Sequence, residues 1–252
     1  MKKVIAFDLD DTLAVTKSAI SDKMAELLSK LLETHQICII SGGAYHQFKK
    51  QVIDNLHVEH HLLQNLHIMP TCGTRYYRFD DISREWKTIY AEDLTVAERK
   101  NIIETTEKTA RKMNLWTDSP YGEIIEDRLS QISISMLGQQ APAAEKYAWA
   151  EKNSEKRLEL RAVLDERLPD YEVRAGGTTT IDITKIGIDK AYGMEKLMNE
   201  LEIGKEEILF VGDKLDEGGN DYPVKAMGID TIAVEGWEDT ALVIETIIKT
   251  KA

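Results

Sequence analysis

Residues 3–13 read KVIAFDLDDTL, a short apolar run that ends in a cluster of acidic residues. The run Lys3–Phe7 has the length and composition of a buried parallel strand. Because side chains alternate along an extended chain, Asp8 and Asp10 project to the same side and bring two carboxylates into one site. Ligands of open parallel sheets bind at the carboxyl ends of the strands. This segment therefore predicts the first strand of a parallel sheet and one part of its ligand site.

Strand and helix signals alternate in the residues that follow and again near the C-terminus. Apolar residues recur at helical spacing after the first strand, and short apolar runs with the composition of buried strands come between the helices. The predicted elements are a helix at 21–34, a strand at 37–40, a helix at 44–56, a helix at 191–201, strands at 208–211 and 229–234, and a last helix from about residue 240. This order predicts an α/β fold with a parallel sheet and right-handed crossovers.

The middle of the chain follows a different pattern. Residues 131–136 place Ile132, Ile134 and Met136 on one face, as in a strand of an antiparallel sheet. Long charged helices are predicted at 94–113 and 143–168, and further strands at 171–174 and 178–183. We therefore predict an α+β module at residues 82–183, inserted into an α/β domain that residues 1–81 and 184–252 form together.

The composition of the 252 residues is that of a globular protein, with 42% hydrophobic and 30% charged residues. The formal net charge is -12 and no block of consecutive basic residues occurs, which argues against nucleic acid or an anionic membrane as a partner. A small anionic ligand needs only local positive charge. No apolar run reaches the length of a signal sequence core or a membrane span, so we expect a cytoplasmic protein with Cys38 and Cys72 as free thiols.

Further polar residues stand where other parallel strands are predicted to end. Because the carboxyl ends of parallel strands meet at one edge of the sheet, we expect their side chains to share a site with the first acidic cluster. These residues are Ser41, Gly42 and Gly43 after the second strand, Asp213, Asn220 and Asp221 after the strand at 208–211, and Lys190 at the start of a helix.

A site of this composition is suited to phosphate chemistry. Carboxylates gathered at one point repel each other unless a cation lies among them, and hard oxygen ligands favour Mg2+. Lys190 would supply a fixed positive charge for a phosphate group. An aspartate can act as a nucleophile and form an acyl phosphate, and a second aspartate can protonate the leaving oxygen and later activate water.

Each of these elements also has an ordinary structural explanation when it is taken alone. The pattern from Asp8 to Thr12 occurs in strand-end turns, and it lacks the glycine and the terminal glutamate of a calcium loop. Ser41 with its two glycines suits a tight strand-to-helix turn, and Lys190 suits a surface position at a helix start. All of them in this order, each after its own strand or at a helix start, favour a single functional site.

In order and context these elements resemble the four motifs of the haloacid dehalogenase superfamily. That family has a Rossmann-like phosphotransferase core and a cap domain that supplies substrate specificity. The resemblance implies that Asp8 is the nucleophile and that Asp10 is the general acid and base. It implies a phosphoryl-binding set of Ser41 and Lys190, a substrate contact at Gly42 and Gly43, and a Mg2+ site made by Asp8, the Asp10 backbone carbonyl and Asp213, completed or supported by Asn220 and Asp221.

The position of the inserted module resembles the type-two cap of subclass IIB, which includes many sugar-phosphate phosphatases. The closest resemblance is to the eukaryotic-type phosphomannomutases of this superfamily and covers essentially the whole chain. The segments that carry it are FVGDKLDEGGND at 210–221, GGTTTID at 176–182 and GIDK at 187–190. Mutases of this kind pair through their caps, so the resemblance also implies a homodimer through the cap.

Differences from the mutases concern the residues that hold the phosphate that is not transferred. Arg128 matches a mutase arginine, but two further arginine positions are Gln139 and Lys146 here. Glutamine carries no charge and lysine lacks the bidentate fork of arginine. Ser41 also resembles the general phosphatase motif more than the glycine expected in the mutases. We therefore expect hydrolysis of a phosphorylated sugar or similar metabolite. The alternatives are a mutase that interconverts mannose 1-phosphate and mannose 6-phosphate, and a non-catalytic module that binds a phosphorylated metabolite.

Four more residues of the inserted module are candidates for contacts with sugar hydroxyls or phosphate. If the resemblance holds, their side chains line the cleft. The alternative is that the arginine lies on the surface and the threonines are ordinary strand residues. The four are Arg174, Thr178, Thr180 and Asp182.

Overall fold

The computed structural model describes residues 2–251, and these divide into two compact units. The first unit comprises the residues up to Ala91 and those from Asp189 onward, and the second comprises Glu92–Ile188. Within the described residues, no helix is both long enough and apolar enough to cross a membrane.

Strands and α-helices are numbered separately in chain order. The strands are β1 (Val4–Phe7), β2 (Gln36–Ile40), β3 (Leu66–Met69), β4 (Arg75–Asp80), β5 (Glu85–Ala91), β6 (Ile125–Asp127), β7 (Ile132–Ser135), β8 (Tyr171–Ala175), β9 (Thr180–Lys185), β10 (Ile208–Gly212) and β11 (Asp230–Ala233). The α-helices are α1 (Asp22–Leu32), α2 (Tyr45–Gln51), α3 (Val96–Lys112), α4 (Ala143–Arg167), α5 (Lys190–Leu201), α6 (Tyr222–Ala226) and α7 (Trp237–Lys251).

The first unit is built on a seven-stranded sheet in the order β11-β10-β1-β2-β3-β4-β5. The strands from β11 to β3 are parallel, whereas β4 and β5 extend the sheet in antiparallel fashion. Phe7 of β1 pairs with Val211 of β10 on one side and with Ile39 of β2 on the other. The carboxyl ends of β1, β2 and β10 therefore meet at one edge. This arrangement confirms the predicted α/β fold with a Rossmann-like parallel sheet.

Both faces of the sheet are buried at β1, β2, β3 and β10, which explains why these four strands are almost entirely apolar. Successive residues of β1 point to opposite faces. Ile5 and Phe7 belong to a core with residues of α1, α2 and α7, and Val4 and Ala6 to a second core with residues of α5 and α6. Helices thus cover the sheet from both sides and leave its strand ends accessible for polar residues.

The second compact unit, Glu92–Ile188, begins and ends several residues after the predicted boundaries of the inserted module, 82 and 183. The segment at 85–91 is β5, which pairs with β4 from Asp80↔Glu85 to Arg75↔Ala91 and so belongs to the first sheet. At the other end β9 runs to Lys185, and the second unit extends to Ile188. The change to an antiparallel pattern in the sequence indicated a new module, but the first antiparallel strands extend the parallel sheet.

The second unit has a four-stranded antiparallel sheet in the order β6-β7-β9-β8. One face of this sheet is apolar, and its isoleucines pack against residues of α3 and α4 such as Ile102 and Leu160. The cross-strand pairs Ile132↔Ile183 and Ile134↔Ile181 lie on this face. The alternate residues of the same strands are polar and lie on the opposite face.

A buried histidine lies in β3 of the first unit. His67 is fully buried between two polar partners, with Nδ1 2.6 Å from the Tyr76 hydroxyl and Nε2 2.7 Å from Oε1 of Gln36. A neutral imidazole that donates from Nε2 and accepts at Nδ1 satisfies both contacts. Burial lowers the pKa of His67 to about 3, and the charge of Arg78 adds to this effect. The fold therefore requires His67 in its neutral form.

We predict that His67 makes the protein less stable as the pH falls below about 6.5. In that range the unfolded chain binds a proton at this histidine and the folded chain does not, so stability falls by up to about 1.4 kcal/mol per pH unit. Urea unfolding of His67→Gln at pH 7 and pH 5 measures this, because the variant should lose less stability over the interval than the wild type. His57→Gln at an exposed site is the control, and equal losses in both variants would contradict the prediction.

Candidate active site

The carboxyl end of β1 places Asp8 in a buried ion pair. Asp8 is 3% exposed, and its Oδ1 lies 2.7 Å from Nζ of Lys190. The same ammonium group lies 2.5 Å from Oδ1 of Asp221, and both Lys190 and Asp221 are fully buried. Lys190 is the first residue of α5, whose N-cap Asp189 accepts a hydrogen bond from the backbone of Tyr192. One lysine thus joins the end of β1 to the segment that follows β10.

Three carboxylates converge at this point. One oxygen each of Asp8, Asp213 and Asp221 lies within 4.8 Å of the others. Oδ2 of Asp213 lies 2.7 Å from Nζ of Lys214, whereas its Oδ1 is buried and has no hydrogen-bond partner. A buried carboxylate oxygen is costly without a partner, and a divalent cation bound by oxygen ligands would supply one. These residues could therefore hold a metal ion.

The electrostatics of the group follow from its burial. Burial raises the pKa of Asp8; Lys190 lowers it, whereas the negative charges of Asp221 and Asp213 raise it further. Burial alone would lower the pKa of Lys190, but Asp221 and Asp8 outweigh it, so the pKa of Lys190 lies above its usual range. Lys190 therefore stays protonated. A cation among the carboxylates would favour the ionised form of Asp8.

The Asp10 carboxylate is held by other parts of the first unit. Its Oδ1 accepts hydrogen bonds from the backbone of Lys17 at 2.6 Å and from Nε2 of Gln51 at 3.0 Å. The next residue, Asp11, has a positive φ of 61° and accepts from the backbone of Thr16 at 3.0 Å. The tight turn after β1 thus orients Asp10 by contacts with Lys17 and with Gln51 of α2. Gln51 was not predicted from the sequence as a neighbour of Asp10.

Ser41 lies buried at the carboxyl end of β2, next to the parallel strand that carries Asp8. Its hydroxyl accepts a hydrogen bond from the backbone N–H of Gly43 at 3.2 Å. A side chain at Gly43 would collide with Gln47, since an added Cβ would lie 2.7 Å from its Oε1. The turn of Ser41, Gly42 and Gly43 is therefore compact at the position where the sequence predicted it.

Two residues near Asp213 differ in how well they were predicted. Asn220 was a predicted metal ligand; it is exposed and directly precedes the buried Asp221. Lys214 was not predicted as a site residue, although its ammonium group contacts Asp213. Burial alone would lower the pKa of Lys214, but the negative charge of Asp213 outweighs burial, so this pKa is raised. Its position directly after Asp213 was the available signal.

Three candidate residues of the second unit, Arg174, Thr180 and Asp182, lie on the polar face of its sheet. A row of directly opposed residues crosses all of its strands, with Glu126↔Ser133, Ser133↔Asp182 and Arg174↔Asp182. The Ser133 hydroxyl donates to Oδ1 of Asp182 at 2.5 Å. Thr180 is opposed to Ser135 on the same face. The sequence predicted Arg174, Thr180 and Asp182, but not Glu126 or Ser133.

Arg128 is buried and engaged by acidic neighbours of this face. Its Nε and Nη2 donate to Oε2 of Glu126 at 2.9 Å and 2.7 Å, and its Nη1 lies 3.9 Å from Oδ1 of Asp182. Gln139 is buried as well and donates to the carbonyl oxygen of Ser133 at 3.2 Å. The remaining candidates are Lys146, which is buried in the first turns of α4, and Thr178, whose carbonyl oxygen accepts from Arg157.

We predict that Lys190→Met destabilises the protein by about 3–5 kcal/mol near neutral pH, because it leaves buried carboxylates without their shared cation. The loss should shrink as the pH falls. In the variant the folded-state pKa of Asp8 lies above that of the unfolded chain, so protonation on acidification favours the folded state. Thermal unfolding between pH 8 and pH 5 measures this, with Lys108→Met at an exposed site as the control. A loss that is independent of pH would contradict the electrostatic explanation.

The sequence matches the family described as haloacid dehalogenase-like hydrolase over residues 5–223. It is similar to the phosphomannomutase of Encephalitozoon cuniculi, with 26% identity over 98% of this chain and 94% of the relative. It is also similar to the phosphomannomutase of Saccharomyces cerevisiae, with 25% identity over 88% of this chain and 84% of the relative.

Solved structures resemble this fold over nearly its whole length. An N-terminally truncated IMP-nucleotidase of Plasmodium falciparum has a TM-score of 0.71 and 16% identity, covering 98% of this chain and 70% of that one. A haloacid dehalogenase-like hydrolase of Bacteroides thetaiotaomicron has a TM-score of 0.65 and 17% identity, covering 98% of this chain and all of that one. At these identities the likeness concerns the fold. The family match spans most of the chain, and the carboxylates of Asp8, Asp213 and Asp221 converge within it. The chain therefore belongs to the haloacid dehalogenase-like hydrolases.

Proposed function

We propose that this enzyme, which acts on phosphate esters, is a Mg2+-dependent phosphatase. Its substrate would be a phosphorylated sugar or a similar small metabolite. The first unit would be the catalytic core, and the second a cap that determines substrate specificity. The observation that carries the proposal is the buried contact between Asp8, at the carboxyl end of β1, and Lys190. Asp213 and Asp221, which follow β10, lie beside this pair. Nucleophile, fixed cation and metal ligands are the parts that phosphoryl transfer requires.

The charges of the site support this assignment. Lys190 is held in its protonated form by two carboxylates, so it can stabilise negative charge on the phosphoryl oxygens. Asp8 and Asp213 would hold Mg2+ with support from Asp221, and the unpartnered Oδ1 of Asp213 fits a cation ligand. The ion would neutralise phosphate charge when it is bound. Ser41, with Gly42 and Gly43, would bind the phosphoryl group from the end of β2.

The proposed reaction has two steps on the side chains of the first unit. The Asp8 carboxylate attacks phosphorus, a bond forms between its oxygen and phosphorus, and the ester P–O bond breaks. Asp10 gives its proton to the leaving alcohol oxygen. In the second step Asp10 takes a proton from water, the resulting hydroxide attacks the phosphorus, and inorganic phosphate leaves the restored Asp8 carboxylate.

The second unit supports a phosphatase over a mutase. A mutase must hold a second, non-transferred phosphate, and this requires cationic groups that are available to it. Here the Arg128 guanidinium is engaged by Glu126, and Gln139, which stands at another arginine position of the mutases, is neutral. The polar row contains two carboxylates, a serine and Arg174, whose guanidinium lies 3.3 Å from a carboxylate oxygen of Glu172. Paired charges and hydroxyls of this kind suit the hydroxyl groups of a neutral substrate body better than a second phosphate.

Phosphomannomutase is the second candidate, because curated relatives with that name align with nearly the whole chain at about 25% identity. It would interconvert mannose 1-phosphate and mannose 6-phosphate, with Arg128 and Lys146 holding the second phosphate. Whichever of the two activities the protein has, we further propose a cytoplasmic location and a homodimer that forms through the second unit. The family membership of the chain speaks against the third alternative, a non-catalytic binding module.

We predict that Asp8→Asn lowers phosphate release by at least about a thousandfold, because asparagine cannot form the acyl phosphate. The fold should survive, since Lys190 keeps its contact with Asp221. Phosphate release and the melting temperature are measured together, with Asp81→Asn at an exposed turn position as the control. Activity of Asp8→Asn near that of the wild type would exclude the aspartyl-phosphate mechanism.

A single incubation separates the two candidate activities. The protein is mixed with Mg2+, mannose 1-phosphate and a catalytic amount of glucose 1,6-bisphosphate, and free phosphate and mannose 6-phosphate are followed. We expect phosphate release without mannose 6-phosphate from this sugar or from another in a panel of sugar phosphates, and loss of the release with EDTA. Formation of mannose 6-phosphate without phosphate release would identify a mutase, and turnover in EDTA would contradict the metal requirement.

A further inference from the structure

The segment that follows β3 has three consecutive residues in the left-handed region of the backbone. φ is 49° at Thr71, 55° at Cys72 and 84° at Gly73. Glycine adopts this region readily, whereas a cysteine does so uncommonly and a β-branched threonine rarely. Such residues persist only where the surrounding structure holds them.

Both non-glycine residues of this segment bind the turn that carries Ser41. The N–H of Cys72 donates to the carbonyl oxygen of Ser41 at 3.0 Å, and that of Thr71 to the carbonyl oxygen of Gly43 at 3.0 Å. The buried hydroxyls of Thr71 and Thr74 lie 2.6 Å apart and fix the segment from within. In this left-handed conformation the N–H groups of Thr71 and Cys72 donate to the carbonyl oxygens of the residues before and after Gly42.

The same segment also contacts α5. A Cβ built on Gly73 would lie 2.5 Å from Cα of Gly193, and a Cβ built on Gly193 would lie 2.7 Å from the carbonyl oxygen of Cys72. Gly193 lies in the first turn of α5, the helix that begins with Lys190. Tyr90 of β5 donates its hydroxyl to the carbonyl oxygen of Gly73 at 2.8 Å. The segment is therefore fixed by β5, and it lies between the Ser41 turn and the helix that carries Lys190.

We propose that Thr71, Cys72 and Gly73 are positioning residues that set the separation between the Ser41 turn and Lys190. The inference rests on the proposed function, in which these two groups hold the transferred phosphoryl group from two sides. Reacting groups lose much of their effect when they are displaced by about 1 Å. The backbone conformation, and not the Cys72 thiol, carries this role.

The test compares two substitutions of Cys72 that differ in their tolerance of the left-handed region. Valine disfavours it and glycine adopts it freely. We expect Cys72→Val to lower kcat for p-nitrophenyl phosphate by at least about tenfold and to reduce the rise in melting temperature with inorganic phosphate and Mg2+, while Cys72→Gly stays within about threefold. Asn114→Val is the matched control. It changes an exposed left-handed residue (φ 55°) of the second unit, so it should lower the melting temperature but not kcat.

Wild-type values of kcat and of the phosphate effect in Cys72→Val would overturn the inference. An equal loss in Cys72→Gly would do so too, because the side chain would then be required. If Cys72→Val does not fold, Tyr90→Phe serves instead; it removes the hydroxyl that holds Gly73 and should lower kcat, and an unchanged kcat would contradict the proposal. If turnover does not depend on Asp8, the proposed function is contradicted but the present inference is not. In that case the rise in melting temperature with phosphate still tests whether residues 71–73 position the phosphate-binding groups.

Discussion

The site depends on the ion pairs that the buried ammonium group of Lys190 makes with two carboxylates. This group contacts Asp8 at the end of β1 and Asp221 after β10, so one cation satisfies carboxylates from two different parts of the chain. Charges of this kind remain buried only when they are paired, and removing one partner leaves the others uncompensated. The α/β fold makes the arrangement possible, because β1 and β10 are neighbours and α5 begins at the same edge of the sheet.

Much of this could be predicted from the sequence, because the signals are local. Short apolar runs that end in Asp8, Ser41 and Asp213 indicated buried strands, and the ends of parallel strands lie together by geometry. The division of the chain into two compact units differs from the predicted boundaries of the inserted module. β5 is mostly exposed, with only Trp86 and Tyr90 partly buried, and this pattern does not reveal that its partner is β4 of the first sheet.

What could not be predicted depends on partners that are distant in the sequence. Ser133 meets Asp182 from a strand 49 residues away, and neither residue signals the other. Gln51 reaches Asp10 across 41 residues. The pairing of Arg128 with Glu126 is local but needs the strand register to be recognised. On the polar face of the second unit, the contacts of Arg128 with Glu126 and Asp182 place charges of both signs side by side.

The place of β1 in the sheet also constrains how the chain reaches its native state. Val4 pairs with Ile208, so the central strand lacks one neighbour until the last part of the chain has been synthesised. Contacts of such large sequence separation form slowly, because loop closure must precede them. The second unit is continuous in sequence and contains its own core, so we expect it to fold first during synthesis. Until β10 is available, the unpaired edge of β1 can aggregate or bind chaperones.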